Sequence, residues 1–530
     1  MFDIFGIDPL SFLIVAPAVA ALIVAAMPSG NKSLVRWVAL GFAVLIGAVA
    51  VTVFFVYQQN QPSPDASPFL FEVQVEWFSL LGASWHVGID GVSATMVLLT
   101  GILVPLAVLI SWEVEDRAHI HLALLLFFET GLMGVFVAMD LMIFFLFYEL
   151  SLVPMYFIID QWGGPNRKYA ATKFMIYSVG GTLGMLLATQ LIGWSAGTYE
   201  IATLATQWPA FREGSALLGI DVATVKALAF VGFFVAFCIK VPIWPFHTWL
   251  PDAHGEAPTA GSMLLAGVML KLGAYGFIRL VIPFFPDVWN STVGLLNIDV
   301  ATLFAALSVL GIVLGAFAAF GQNDIKRLVA YSSVNHMGFV GIGLAVMARA
   351  YGEMWATGAA ADAQTAIIAT NGAVLQMFNH GLSSAAMFLL AGGIYHKTHT
   401  RDLREYGGFW VKAPIYGAIF IFTSMASLGL PGLNGFVSEF LVVRGTWPVF
   451  TALTAISMIG LLFTGGYILK GIRAVLHGPF NLKWRDYHLE IERREVVAIA
   501  PLLALMLITG VVPNWILPVI NDTVTRILGG

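Results

Sequence analysis

The chain has 530 residues, of which 59% are hydrophobic and 11% charged, with a net charge of −5. Soluble domains carry about 25% charged residues, so a water-soluble domain is excluded and an all-α polytopic membrane protein is expected. No basic stripe offers itself to nucleic acid, and the lone Cys238 rules out a disulfide framework or a cysteine-ligated metal or iron–sulfur site.

The opening MFDIFGIDPL is acidic and lacks the cationic region of a signal peptide, so the first apolar run is expected to stay as a transmembrane helix. Runs long enough to span, about 17–25 residues each, fall near 5–27, 34–57, 92–112, 121–138, 141–160, 174–196, 224–248, 258–281, 299–320, 328–347, 365–395, 414–441, 449–476 and 496–518, fourteen in all. The run at 365–395 is long and contains Asn379 and His380, which predicts a broken or strongly tilted helix. Between the second and third runs, Phe69, Phe71, Val73, Val75 and Trp77 alternate with Glu72, Gln74 and Glu76. That period of two predicts a strand, half of a short external β-hairpin near 69–90.

With the N-terminus outward and the helices alternating, inward ends collect most of the basic residues, among them Lys32, Arg36, Arg167, Lys168, Lys326 and Arg401. Arg212, Lys226, Arg279, Arg349, Arg444 and Arg526 fall near outward ends, leaving Lys240 and Lys271 inside the membrane. Both termini are therefore expected outside. No Gly-rich phosphate loop, nucleotide fingerprint or metal-ligand spacing occurs in the loops.

Function is then sought among polar residues inside the apolar runs. A lysine at the centre of a membrane helix costs about 2.5–3.5 kcal/mol on the insertion scale. Lys240 precedes Pro242 and Pro245, which interrupt its helix, and Lys271 sits among Gly267, Gly273 and Gly276, which permit close helix packing. Glu149, in LMIFFLFYELSLVPMYF, is a carboxylate that must be protonated or paired, with Lys240 as the available base. In the second half, SLGLPGLNGFVSEFLVV places Gly429, Pro431, Gly432 and Gly435 before Glu439. Two interrupted hydrophobic segments in corresponding halves point to an inverted-repeat transporter. His336 and His380 lie between these sites and suit a proton relay, since imidazole donates, accepts and titrates near neutrality. His247 and Lys326 are weaker candidates, as suited to freed backbone or headgroups as to proton transfer.

The run KVPIWPFHTWLPDAHGEAPTAGSMLLAGVMLKLGAYG strongly resembles the signature of the antiporter-like membrane subunits of respiratory complex I. These are related to subunits of multi-subunit sodium/proton antiporters and membrane-bound hydrogenases. FFLFYELSLVPMYF, GQNDIKRLVAYSSVNHMGFV and QMFNHGLSSAAMFLLAGGIY extend the resemblance, which covers roughly residues 85–480. Departures from the pattern are an insertion-like outer loop, Arg349–Ala363, and Trp244.

The resemblance implies fourteen transmembrane helices with two inverted five-helix repeats containing broken helices. The divisions expected are 1–120 (three helices and the hairpin), 121–283 and 299–476 (the repeats), and 496–530 (the last helix). It implies a proton-translocating subunit of NADH-quinone oxidoreductase in a bacterial plasma membrane or an equivalent energy-transducing membrane. Glu149, Lys240, Lys271, His336 and Glu439 would carry the proton, with His247 and His380 in lesser roles, and Glu439 stands where sister subunits carry lysine. FMN, iron–sulfur clusters and quinone would belong to partner subunits, namely L- and N-type homologues and the peripheral electron-transfer arm. The alternative is a subunit of a sodium/proton antiporter or a membrane-bound hydrogenase.

Overall fold

The computed structural model describes residues 4, 6–63, 67–78, 82–211, 221–294, 297–360 and 362–529. Arg212, expected near an outward end, lies outside the described residues. Among these residues, 13 helices are long and apolar enough to cross a membrane, and the chain is a polytopic helical membrane protein with small sheets. Large apolar side chains such as Leu22, Trp194 and Leu462 point outward. An outer surface of this kind is stable against lipid and not against water.

In chain order the elements are α1 (Pro9–Ala26), α2 (Lys32–Gln59), β1 (Leu70–Phe78), β2 (Ala83–Ile89), α3 (Gly91–Ile110), α4 (Ala118–Val137), α5 (Leu141–Leu150), α6 (Leu152–Trp162), α7 (Arg167–Ala196), α8 (Ile201–Ala210), α9 (Val222–Lys240) and α10 (Trp249–Glu256). They continue as α11 (Thr259–Phe284), α12 (Val300–Gly321), α13 (Ile325–Thr357), α14 (Ala363–Thr398), α15 (Pro414–Leu428), α16 (Asn434–Thr446), α17 (Thr451–Leu476), α18 (Arg493–Val511) and α19 (Leu517–Ile527). α11, α13 and α14 are buried along nearly all of their apolar windows, whereas α2, α7, α17 and α18 are buried along well under half of theirs. The core of the bundle is therefore where lysine and histidine sit.

The interruptions expected after Lys240 and between Gly429 and Gly435 are present, and two other expectations are corrected. The helix of 224–248 stops at Lys240, because Pro242 and Pro245 cannot donate to the helical ladder. Its freed carbonyls are used locally: Ile243 N donates to Cys238 O at 2.9 Å, and the Trp249 indole donates to Ile239 O at 3.0 Å. The segment 414–441 is divided into α15 and α16, with Gly429 and Gly432 in left-handed conformations (φ 84° and 94°) that residues with a side chain rarely adopt. The segment 365–395 is unbroken; α14 runs for 36 residues, about 54 Å at 1.5 Å per residue. That exceeds a hydrocarbon layer of about 30 Å, so α14 tilts or protrudes. Lastly, the loop expected at Arg349–Ala363 is mostly helix, since α13 continues to Thr357.

β1 and β2 pair antiparallel with Val73 opposite Val87 and Val75 opposite Trp85, in keeping with the alternation of their sequence. The Trp85 indole donates to Ser11 Oγ at 2.9 Å and docks the hairpin on α1. At the other end of the bundle, Lys32 and Arg36 of α2 both bond Glu115 in the α3–α4 connection. Their hydrogen bonds and charges hold the Glu115 carboxyl down to about 2.

Arg279, expected near an outward end, is instead buried and donates to Asp90 Oδ2 at 2.5 Å. Its Nε donates to Tyr275 Oη at 3.2 Å, and its guanidinium lies 5.3 Å from the ring centres of Phe69 and Tyr275. Asp90 also caps α3 through Ser93 N, so this ion pair ties the hairpin, α3 and α11 together. Arg279→Leu leaves a buried carboxylate without its partner, a loss of about 3–5 kcal/mol. The amount of folded chain in the membrane is expected to fall, and Asp90→Leu added to it to restore part of that loss. Unchanged accumulation and thermal stability of the single variant would contradict this account.

Candidate functional site

The site is built on the two helix breaks and on α11, α13 and α14 between them. Lys271 is fully buried in α11 between two π-helical stretches, Leu265–Met269 and Phe277–Val281. Such stretches widen the helix and are frequent at functional positions. The Lys271 ammonium donates back to Ala266 O at 2.5 Å and forward to His380 Nδ1 of α14 at 2.9 Å. A doubly protonated His380 facing a charged Lys271 would set donor against donor, so the pair holds at most one proton beyond its neutral form, as Lys⁺ with neutral His or the reverse.

From His380 the line continues to His336 of α13, whose ring centre is 5.7 Å away, a gap that one water suffices to bridge. His336 Nδ1 lies 2.7 Å from Glu439 Oε1 of α16, and its Nε2 is 3.3 Å from Tyr467 Oη of α17. With Nδ1–H donating to the carboxylate, Nε2 is free to accept from the Tyr467 hydroxyl, so one tautomer of a neutral ring satisfies both contacts. Gln376 Nε2 donates to the same Glu439 oxygen at 3.0 Å, and Ser438 Oγ donates to Gln376 Oε1. Asn379 Nδ2 donates to Asn434 O at 2.7 Å, and Asn434 Nδ2 returns a bond to Asn379 O at 3.1 Å. This reciprocal pair fastens the start of α16 to the middle of α14.

The first half is organised differently. Lys240 is the last residue of α9, and Gly273 of α11 packs against its backbone, where a Cβ would meet Lys240 Cβ at 2.9 Å. The Lys240 ammonium has no hydrogen-bond partner; it lies 4.9 Å from the ring centre of Tyr148, the neighbour of Glu149 on α5. Glu149 Oε1 is likewise buried without a partner. The Glu149 charge acts on Lys240, yet no ion pair within 4.0 Å joins them among the described residues. Lys240 is thus held by a ring quadrupole and a carboxylate at a distance. Lys240 precedes its break whereas Glu439 follows its own.

Of the residues singled out from sequence, Lys271, His380, His336 and Glu439 are brought into one line, and Lys240 and Glu149 form a separate, looser neighbourhood. His247 lies in the turn after α9, its Nδ1 unpartnered and its ring 6.4 Å from that of Tyr331, apart from both groups. Lys326 is buried, donating to Ala257 O at 3.0 Å, rather than reaching headgroups. Gln376, Ser438, Tyr467 and Tyr148 had no signal of their own, being ordinary residues in apolar helices. Glu129 had one: it is a carboxylate in an apolar run like Glu149, and it is fully buried in α4 with both oxygens unpartnered. No group of three or more His, Cys, Asp or Glu able to hold a metal occurs among the described residues. The arrangement can store and pass protons between fixed side chains.

The family model described as NADH:quinone oxidoreductase/Mrp antiporter, TM, matches residues 138–464. The chain is 38% identical over 519 residues to NADH-quinone oxidoreductase subunit M of Pseudomonas aeruginosa, covering 96% of this chain and 95% of that one. It is 37% identical over 522 residues to NAD(P)H-quinone oxidoreductase chain 4 3 of Trichormus variabilis, covering 96% and 89%. Among solved structures it is similar to a chain of respiratory complex I from Thermus thermophilus with bound NADH, with a TM-score of 0.80 and 25% identity, covering 98% of this chain and all of that one.

Proposed function

We infer from one premise, that the chain belongs to the NADH:quinone oxidoreductase/Mrp antiporter transmembrane family and within it to the subunit M/chain 4 group, what this molecule does. It is a proton-translocating membrane-arm subunit of NADH-quinone oxidoreductase, an enzyme complex, and it works within a multi-subunit membrane assembly. The observation that carries the mechanistic reading is the buried line from Lys271 through His380 and His336 to Glu439.

Protons are taken up from the inward side, held on Lys271 and the histidines, and released outward from Glu439. Glu149 tunes Lys240 by approaching and withdrawing, and the drive comes from quinone reduction elsewhere in the complex. FMN, iron–sulfur clusters and quinone reside in partner subunits, among which L- and N-type homologues flank this chain. In this reading the α15–α16 pair counts as one interrupted crossing, giving fourteen crossings, two inverted repeats at 121–283 and 299–476, and both termini outside a bacterial plasma membrane.

Affinity purification of the tagged chain from its native membrane tests the assignment. It is expected to bring down a flavin- and iron–sulfur-containing arm with NADH:quinone reductase activity. Recovery with sodium/proton antiporter subunits, without NADH oxidation, would overturn it.

A further inference from the structure

Lys271 is fully buried, so a proton needs a specific way in. At the end opposite the hairpin lies a cavity of about 230 Å³, room for several waters at about 30 Å³ each. Its polar lining includes Glu113, His121, Glu256, Lys326, His396 and Arg401, and part of its wall is the segment 255–257, where α10 ends.

The residue immediately before that wall is His254. It is fully buried, and neither ring nitrogen has a hydrogen-bond partner in the protein. The ring stacks on Phe388 of α14, with centres 4.6 Å apart and planes 10° from parallel. Only its backbone carbonyl is used, accepting from Ser262 Oγ at 3.1 Å. Ser262 of α11 lies one turn before Ala266, whose carbonyl accepts from the Lys271 ammonium, so this bond sets His254 beside the stretch of α11 that holds Lys271. A phenyl ring would stack on Phe388 equally well without two unpaired polar atoms, so packing does not account for an imidazole here. His121, the buried histidine that lines the cavity, differs: its Nε2 is 3.2 Å from Ser111 Oγ.

We propose that His254 is the proton relay between this cavity and Lys271, so that the polar line is fed at the junction of the two halves, where α10 meets α13 and α14. The proposal rests on the proton-translocating reading above and adds the route of uptake. A hydrated proton in the cavity protonates one ring nitrogen. The imidazolium gives up the proton of its other nitrogen, through water, to the neutral Lys271 amine, which becomes the ammonium. The ring is left neutral in the opposite tautomer and resets by rotation or by a proton shift through water. One proton has moved and no other bond has changed.

The test uses the intact complex in inverted membrane vesicles, with NADH-driven acidification followed by a fluorescent dye and normalised to assembled complex by NADH:ferricyanide reduction. His254→Phe keeps the stack, His254→Gln keeps polarity without titration, and His254→Glu gives up the stack but can carry a proton. Expected are losses of about tenfold or more for Phe and Gln, with Glu within about threefold of the parent. A Phe variant that pumps as well as Glu, or better, would make stacking the role and overturn the relay. If the Phe variant does not assemble, the Gln and Glu pair carries the same comparison. Lys271→Met is measured alongside. Loss with Lys271→Met but full pumping by His254→Phe and His254→Gln sinks the relay alone, whereas full pumping by Lys271→Met sinks the wider reading and the relay with it.

Discussion

Glu439→Gln is expected to leave the complex assembled and to lower NADH-driven proton translocation by about tenfold or more. The amide keeps the shape of the carboxylate, and its oxygen still accepts from Gln376 Nε2 and His336 Nδ1, which bond Glu439 Oε1 at 3.0 and 2.7 Å. What it cannot do is take a proton and give it up. A hydrogen bond to a charged group contributes about 1.5–3 kcal/mol against about 1 for a neutral one. Folding is therefore weakened slightly while the terminal acceptor of the line is removed.

Glu439→Asp separates reach from charge. It retains the titrating group but is one methylene shorter, and with α16 fastened to α14 through Asn434 and Asn379 the helix is not free to follow. An intermediate rate is expected, above Gln and below the parent. Proton uptake per NADH is the measurement, with ferricyanide reduction as the control for assembly. Parental pumping by Glu439→Gln would remove Glu439 from the proton path.

The apolar runs and the charges inside them were legible because lipid acts on each position separately. A lysine in a hydrophobic run is costly whatever lies beside it, so Lys240, Lys271 and Glu439 stand out one by one. Prolines and paired glycines mark the breaks for the same local reason. Pairings were not legible. Arg279 and Asp90 are 189 residues apart and form one buried ion pair, which a reading of helix ends assigns to an outward surface. Lys326 is a similar case, since its position near an inward end says nothing of the Ala257 carbonyl that holds it. The unbroken α14 shows the opposite error. Asn379 and His380 are polar residues in an apolar run, but their partners come from α16 and α11, so the helix need not open to satisfy them. Glu129 carries the same signal as Glu149, a carboxylate in an apolar run.

The second large effect concerns Lys240. Lys240→Met is expected to fold as the parent does, because its ammonium has no hydrogen bond to lose and only the face of Tyr148 for company. An apolar side chain of similar length suits that buried site at least as well. Proton translocation is nevertheless expected to fall by about tenfold or more, since the lysine at the α9 break is gone. Glu149→Gln should cost less. Glu149 does not touch Lys240 in this structure, and the role proposed for it is to change what charge Lys240 carries as the two approach. A positioning role of this kind has a signature in the double variant: with Lys240 absent, Glu149 has nothing to tune. Lys240→Met/Glu149→Gln should then pump no less than Lys240→Met alone, a coupling seen when two groups act as one unit. Losses that simply multiply would place Glu149 on an independent path, and parental pumping by Lys240→Met would confine translocation to the line from Lys271 to Glu439.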